Sequence, residues 1–243
     1  MKEQSTIVTR IRNRNSVLKH SIYNWLKWDV PIKIWDFRDD GCESAWDVVK
    51  ELPDSLRERV TVFETKYEYR WNHCICWNAA VALCETEYVV VTDVDHLIES
   101  KLWLDPPASD ELLYPPVMAK YGFCWFRKAL WESVNGYNEN LTGYGSDDTE
   151  FYTRVAAAGY KFRHIAGDTV HHLAHDDVAR IAPLIQTGTE GLARNHATEV
   201  VHTSNRLNQL ITQYLPWTQD SKRIRWDYTQ LELGRWLAIR RVA

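Results

Sequence analysis

No stretch of this 243-residue chain is long and apolar enough to span a bilayer. The opening Met-Lys-Glu-Gln-Ser-Thr lacks the apolar core that a secretory signal needs. The five cysteines, Cys42, Cys74, Cys76, Cys84 and Cys124, are odd in number and include no C-x-x-C pair of zinc-binding type. Neither a disulfide framework nor a structural zinc site is expected, and reduced thiols in a cytoplasmic protein are the simplest reading. His73-Cys74-Ile75-Cys76 offers ligand atoms, but positions i, i+1 and i+3 of a helix do not converge on one ion. There is no internal repeat and no low-complexity segment. A formal net charge of −4 excludes a global nucleic-acid footprint.

What charge there is lies unevenly. Residues 194–243 carry eight Lys or Arg and four acids, a net +4, which leaves 21 basic and 29 acidic residues, a net −8, for the rest. Such a tail is ordinarily solvated surface; contact with a polyanion or an anionic membrane is the alternative. A hydrophobic fraction of 45% and a charged fraction of 26% are those of a folded globular chain. Several of the twelve tryptophans stand beside polar motifs, and saccharides and bases both stack on indole faces.

The periodicity alternates between short apolar runs and helical spacing. Strands are expected at Ser5 to Thr9, at Pro31 to Trp35 ending on Asp36, at Val60 to Phe63 and at Tyr88 to Thr92. Between them, Asn15 caps a helix with Leu18, Ile22, Trp25 and Leu26 on one face, and further helices run from Trp46 to Leu52 and from Asn72 to Cys84. This order predicts an α/β fold with a mainly parallel sheet flanked by helices. After Asp95 the pattern breaks. Pro106, Pro107, Pro115 and Pro116 argue for loops or edge structure, and one or two strands are expected between Val117 and Arg127. A helix follows from Asp147 to Ala158. In the tail, Ser204 caps a helix that buries Leu207, Leu210, Ile211 and Tyr214, and a last helix runs from about Tyr228 to Arg240.

Three groups of residues carry chemistry. Asp93 and Asp95 follow an apolar strand, where ligands of open parallel sheets bind. Carboxylates at i and i+2 of an extended chain share one side and can hold a hard divalent cation. Gly143, Gly145, Asp147, Asp148 and Glu150 sit at a loop-to-helix junction with more acid than helix capping needs. His171, His172 and His175 offer imidazoles that can finish a Mn²⁺ shell.

Taken in order, "TIVTRIRNR", "IKIWDFRD", "WNHCICWNAAVALCETEYVVVTDVD", "GFCWFRKALWESVNGYNENLTGYGSDDTEFYTRVAAAGYKF" and "VHHLAH" resemble the GT-A glycosyltransferases. The likeness is to the family 2 type with a galactosyltransferase-like second half, over roughly residues 5–176. It implies a GT-A domain over residues 1–195, with a nucleotide-sugar half at about 1–98, an acceptor half at about 99–195 and a helical extension at 196–243. It also implies roles. Asp93 and Asp95 match the D-x-D that holds Mn²⁺ or Mg²⁺ against a nucleotide-sugar diphosphate, and His172 completes the metal shell. Asp36 matches the acid that binds the nucleotide base, usually uracil. Thr9, Arg10 and Arg14 lie where the first loop touches the nucleotide. Asp147 and Asp148 match the acceptor-site acids, with Asp148 as catalytic base. The pair is Asp-Asp rather than Glu-Asp, Tyr144 stands where Trp is frequent, and "DFRDD" replaces Asp-Asp-Gly-Ser.

The implied reaction is metal-dependent, inverting transfer from a UDP-type sugar to a glycan hydroxyl. Glycosylation of a hydroxymethylated DNA base is the alternative acceptor, suggested by the basic tail. A sugar nucleotidyltransferase would want a glycine-rich loop after the first strand, and "TRIRNRNS" has no glycine. A non-catalytic sugar-binding module would not need Asp148 and His172.

Overall fold

The computed structural model describes residues 2–38, 41–65, 72–116, 122–174 and 196–241. The first half alternates as expected: β1 (Ser5–Ile11), α1 (Asn15–Leu26), β2 (Ile32–Asp36), α2 (Ala45–Val49), α3 (Asp54–Arg57), β3 (Val60–Glu64), α4 (His73–Ala82) and β4 (Tyr88–Val91). The second half holds β5 (His96–Ile98), β6 (Glu111–Tyr114), β7 (Cys124–Arg127), α5 (Lys128–Ser133), α6 (Asp147–Ala157), β8 (Lys161–His164) and β9 (Val170–His172). Then come α7 (Ala197–Tyr214), β10 (Trp226–Glu232) and β11 (Arg235–Arg240).

Nine strands form one sheet in the order β10-β11-β3-β2-β1-β4-β7-β6-β8, and β5 pairs with β9 in a separate ribbon. The centre, β3-β2-β1-β4, is parallel. Its strands are apolar on both faces because helices cover both. One core layer joins Ile7, Ile22, Trp25, Val62 and Val90; the other joins Trp35, Trp77, Val89, Phe126 and Phe151. The chain leaves β1 toward β2 and β3, then returns to its other side as β4. The β1/β4 boundary is thus the switch point where a crevice opens beyond the strand ends.

Several expectations are corrected. The segment read as a last helix is the β10–β11 hairpin, turning at Gly234 (φ +80°), and β11 lies parallel to β3. Trp226, Tyr228 and Trp236 pack on Trp35 and Phe63, so the hairpin continues the sheet and its core. The preceding helix starts at Ala197, which puts Ser204 inside it rather than at its cap. Of the face expected to be buried, Ile211 packs against the core, whereas Leu207, Leu210 and Tyr214 are exposed; Val201 and Asn208 are buried. Asn15 is the first residue of α1 and caps nothing; its amide donates to the carbonyls of Glu43 and Ser44 and ties down the α2 entry. The proline-rich stretch contributes β6. The part of the expected strand at 117–121, and His175, lie outside the described residues.

Candidate active site

At the switch point, Arg10 leaves β1 with its guanidinium 4.6 Å from the Trp77 ring centroid and donates from Nη1 to Asp93 Oδ1 at 2.7 Å. Burial opposes the Arg10 charge, but the carboxylates of Asp93, Asp147 and Asp148 outweigh it and hold the group above its ordinary range. These four residues come from β1, the β4 end and α6, so the fold gathers acids far apart in sequence around one cation. Arg14 Nη1 lies 2.9 Å from Asp95 Oδ2. Thr9 is fully buried within β1. Asp36, at the end of β2, is also buried, and its Oδ2 accepts the Ala45 N–H at 2.7 Å. Burial pushes its carboxyl up to about 7, with the Ala45 bond opposing and Glu64 adding.

The short ribbon builds a ligand cluster. Pairing of His96 with His172 across β5 and β9 brings the two imidazoles to 5.6 Å, centroid to centroid. Asp95 lies between them, with Oδ2 3.8 Å from His172 Nε2 and Oδ1 4.0 Å from His96 Nε2. One ligand atom from each of the three residues falls within 4.8 Å of the others. Asp93 is outside this set, on Arg10. His171, on the opposite side of β9, is exposed, with Nε2 3.8 Å from Glu99.

The tautomer of His96 follows from its neighbours. The Thr92 hydroxyl donates its one proton to the Asp93 carbonyl at 3.3 Å. It therefore accepts from His96 Nδ1–H, also at 3.3 Å. That leaves a lone pair on His96 Nε2, which is buried and has no hydrogen-bond partner among the described residues. Burial also lowers the His96 pKa, which keeps the ring neutral and able to ligate.

The loop before α6 turns through three left-handed residues, Gly143 (φ +74°), Gly145 (φ +89°) and Ser146 (φ +68°), and α6 begins at Asp147. Ser146 occupies the cap position but makes no cap bond. Asp147 and Asp148 are the first two residues of α6, directly after this turn. Burial raises the Asp147 carboxyl, with Arg10 opposing and Asp93 adding. Burial, then Asp147 and Asp93, pushes Asp148 well above the carboxylate range. Both side chains keep some solvent access although protein surrounds them closely.

Residues 108–176 match the family model described as the N-terminal domain of galactosyltransferase. The catalytic domain of Drosophila beta1,4galactosyltransferase 7, in complex with xylobiose, superimposes with a TM-score of 0.57 over 97% of this chain and 92% of that one, at 14% identity. The chain has the GT-A glycosyltransferase fold. A mutant of the same Drosophila enzyme, in complex with manganese, UDP-Gal and xylobiose, gives a TM-score of 0.58 at 14% identity over 97% and 92% of the two chains. A mannosyltransferase from Pyrobaculum calidifontis in complex with GDP-Man and Mn²⁺ gives 0.56 at 13% identity, covering 87% of this chain and 75% of that one. No curated protein matches in sequence. Fold and family segment agree on one enzyme class, glycosyltransferase.

Of the expected metal ligands Asp93, Asp95 and His172, the structure groups Asp95 and His172 with His96 and leaves Asp93 on Arg10. His96 was not among the expected ligands; it follows Asp95 directly and pairs with His172 across β5 and β9. Among the described residues no helix is long and apolar enough to cross a membrane.

Proposed function

We propose that this glycosyltransferase moves a sugar from a nucleoside diphosphate donor, UDP-linked by preference, to a glycan hydroxyl, with a divalent cation and with inversion at C1. The observation that carries the reading is the meeting of two groups at the switch point. These are the Asp95–His96–His172 ligand cluster beside Arg10–Asp93, and the raised carboxyl of Asp148 facing the same arginine.

The residues fit the cation. Bonds of about 2.1 Å to one ion put donor atoms roughly 3–4 Å apart, and the two Asp95–imidazole separations are 3.8 and 4.0 Å. Asp95, His172 and His96 would hold the ion, and Mn²⁺ suits two imidazoles better than Mg²⁺ does. When bound, the ion supplies neutralisation of charge on the leaving diphosphate. Arg10 and Arg14 add positive charge on the same side. Asp93, held by Arg10, is placed to accept hydrogen bonds from the donor sugar or from water on the ion. Asp36 is the acid for the nucleotide base. Asp148 takes the proton of the acceptor hydroxyl as that oxygen attacks C1, with Asp147 beside it at the start of α6. A single displacement with one base inverts C1 and needs no enzyme nucleophile.

The complexes of the Drosophila and Pyrobaculum enzymes, with UDP-Gal, GDP-Man, manganese and xylobiose, support a nucleotide-sugar donor and a glycan acceptor. The basic tail gives DNA little support, since the Arg223 guanidinium sits 4.3 Å over the Trp131 ring and near Glu139, inside the fold's own contacts. Five free thiols, four of them buried, are in keeping with a cytoplasmic setting. The test is release of nucleoside diphosphate from a panel of UDP- and GDP-sugars with and without Mn²⁺, followed by the anomeric configuration of any transferred sugar. A folded protein that neither binds nor cleaves any nucleotide sugar with Mn²⁺ refutes the proposal.

A further inference from the structure

The tail helix α7 meets the acceptor-side loop through polar groups. Ser204, Asn205 and Asn208 share one face, at i, i+1 and i+4. Ser204 Oγ accepts the Tyr144 N–H at 2.7 Å. Asn208 Oδ1 accepts the Thr142 N–H at 3.1 Å, and its Nδ2 donates to the carbonyls of Gly145 at 2.7 Å and Tyr144 at 3.3 Å. Asn205 Oδ1 accepts the Ser146 hydroxyl at 2.7 Å. The approach is so close that a Cβ at Gly143 would stand 2.5 Å from Ser204 Oγ, and one at Gly145 would stand 2.6 Å from Asn205 Oδ1. Real Cβ atoms do not sit that near, so the two glycines are required by the helix as well as by their left-handed φ.

This arrangement is more specific than tail packing requires. α7 buries Val201 and packs Ile211 on the core, leaves Leu207 and Leu210 outward, and turns the polar Ser204, Asn205 and Asn208 to the loop. Every polar contact just named falls on residues 142–146, the five that precede Asp147. Ser146, left-handed at φ +68° and without a cap bond to α6, is held through its hydroxyl on Asn205.

We propose that α7 is a positioning element for the acceptor side. Ser204 and Asn208 hold the turn at residues 142–145, and Asn205 holds the Ser146 side chain, so that the start of α6, and with it Asp148, is fixed on the side of Arg10. The placement of Asp148 is thus set from a helix nearly sixty positions downstream, without α7 touching donor or acceptor. This rests on the transferase reading for its catalytic consequence, but the hold on the loop does not depend on that reading.

The test uses the full chain and four variants, Ser204→Ala, Asn205→Ala, Asn205→Asp and Asn208→Ala. Amide hydrogen exchange is followed in peptides covering 140–148 and 88–98. In parallel, UDP-Gal hydrolysis with Mn²⁺ and the affinity for UDP with Mn²⁺ are measured. Asn208→Ala removes three hydrogen bonds and should speed exchange in 140–148 by at least about tenfold, with 88–98 unchanged. Hydrolysis kcat should fall by about the same factor while UDP affinity holds. Asn205→Ala should lower kcat, and Asn205→Asp, which keeps the acceptor for Ser146, should restore it. If Asn208→Ala does not fold, Ser204→Ala and the Asn205 pair carry the same comparison. Unchanged exchange in every variant overturns the hold on the loop. Faster exchange with unchanged kcat, or equal loss in both Asn205 variants, overturns the positioning role. Wild-type protein that binds no UDP and cleaves no nucleotide sugar refutes the transferase reading instead, and the exchange result then stands alone.

Discussion

A methyl group at position 122 should disable the donor side without unfolding the protein. Gly122 backs directly onto Asp93: a Cβ built there would stand 2.5 Å from Asp93 Cγ and 2.8 Å from Oδ1. Carbon atoms in contact keep about 3.5 Å, so Gly122→Ala drives the carboxyl back by roughly 1 Å. Asp93 Oδ1 is the atom that Arg10 holds at 2.7 Å, so the pair must stretch or turn. A misplacement of about 1 Å in a reacting assembly costs on the order of a hundredfold in rate, close to 3 kcal/mol of transition-state stabilisation. Arg10 retains Asp147 and Asp148 as partners, so the cost to stability is held to about 1 kcal/mol, or a few degrees of Tm. The assay is kcat/KM for nucleotide-sugar hydrolysis, with the Tm measured alongside. A folded Gly122→Ala protein with near-wild-type kcat/KM would refute both the steric argument and the assignment of Asp93.

Other outcomes follow from the same geometry. Asp148→Asn should bind donor normally and lose at least about a hundredfold in kcat, the scale of general-base catalysis; because burial raises the Asp148 carboxyl, the acidic limb of the wild-type pH profile should lie above the usual carboxylate range, and a limb near pH 4 would contradict this. His96→Ala and His172→Ala should each weaken Mn²⁺ binding by about 10–100-fold in calorimetry, whereas His171→Ala should not; a larger effect at His171 would reverse the assignment. Glu139 accepts from Asn78 and the Ile224 N–H, and burial raises it from 4.5 to about 7. The native state therefore holds this proton longer than the unfolded chain, so the contribution is complete below about pH 4.5 and is lost as pH rises to 7, by roughly 3 kcal/mol. Glu139→Gln should flatten the fall in Tm between pH 5 and 8, and an unchanged slope would place the linkage elsewhere.

The parallel half of the sheet was legible because its signals are local. Val89, Val90 and Val91 form an unbroken apolar strand, and Asn72 caps α4 with its side chain on the Ile75 N–H. Asp95 and His172 were legible as chemistry, since strand ends are where such groups act. His96 was hidden by the D-x-D pattern itself, which looks at alternate positions, whereas its partner is fixed by the non-local β5–β9 register. In the tail, the helical spacing of Leu207, Leu210 and Ile211 gave the helix but not its buried side, because only the tertiary fold makes Ser204, Asn205 and Asn208 the docking face. In the hairpin, Trp226 and Tyr228 alternate with more exposed residues before Gly234, a period of two that distinguishes a strand from the helix expected there.

The seat of β11 on β3 bears on the order in which the chain assembles. Arg235 clasps Glu64 with Nε at 3.0 Å and Nη2 at 3.1 Å, across a separation of 171 residues. Contacts so distant in sequence close late, because the loop entropy must be met before they contribute. During synthesis, β2 and β3 can pair long before β11 has left the ribosome, and the free edge of β3, with its Val60, Val62 and Phe63, is then an open template for another chain. The hairpin therefore closes the edge that β3 would otherwise leave open, and until it arrives that edge is the exposed side of the growing sheet.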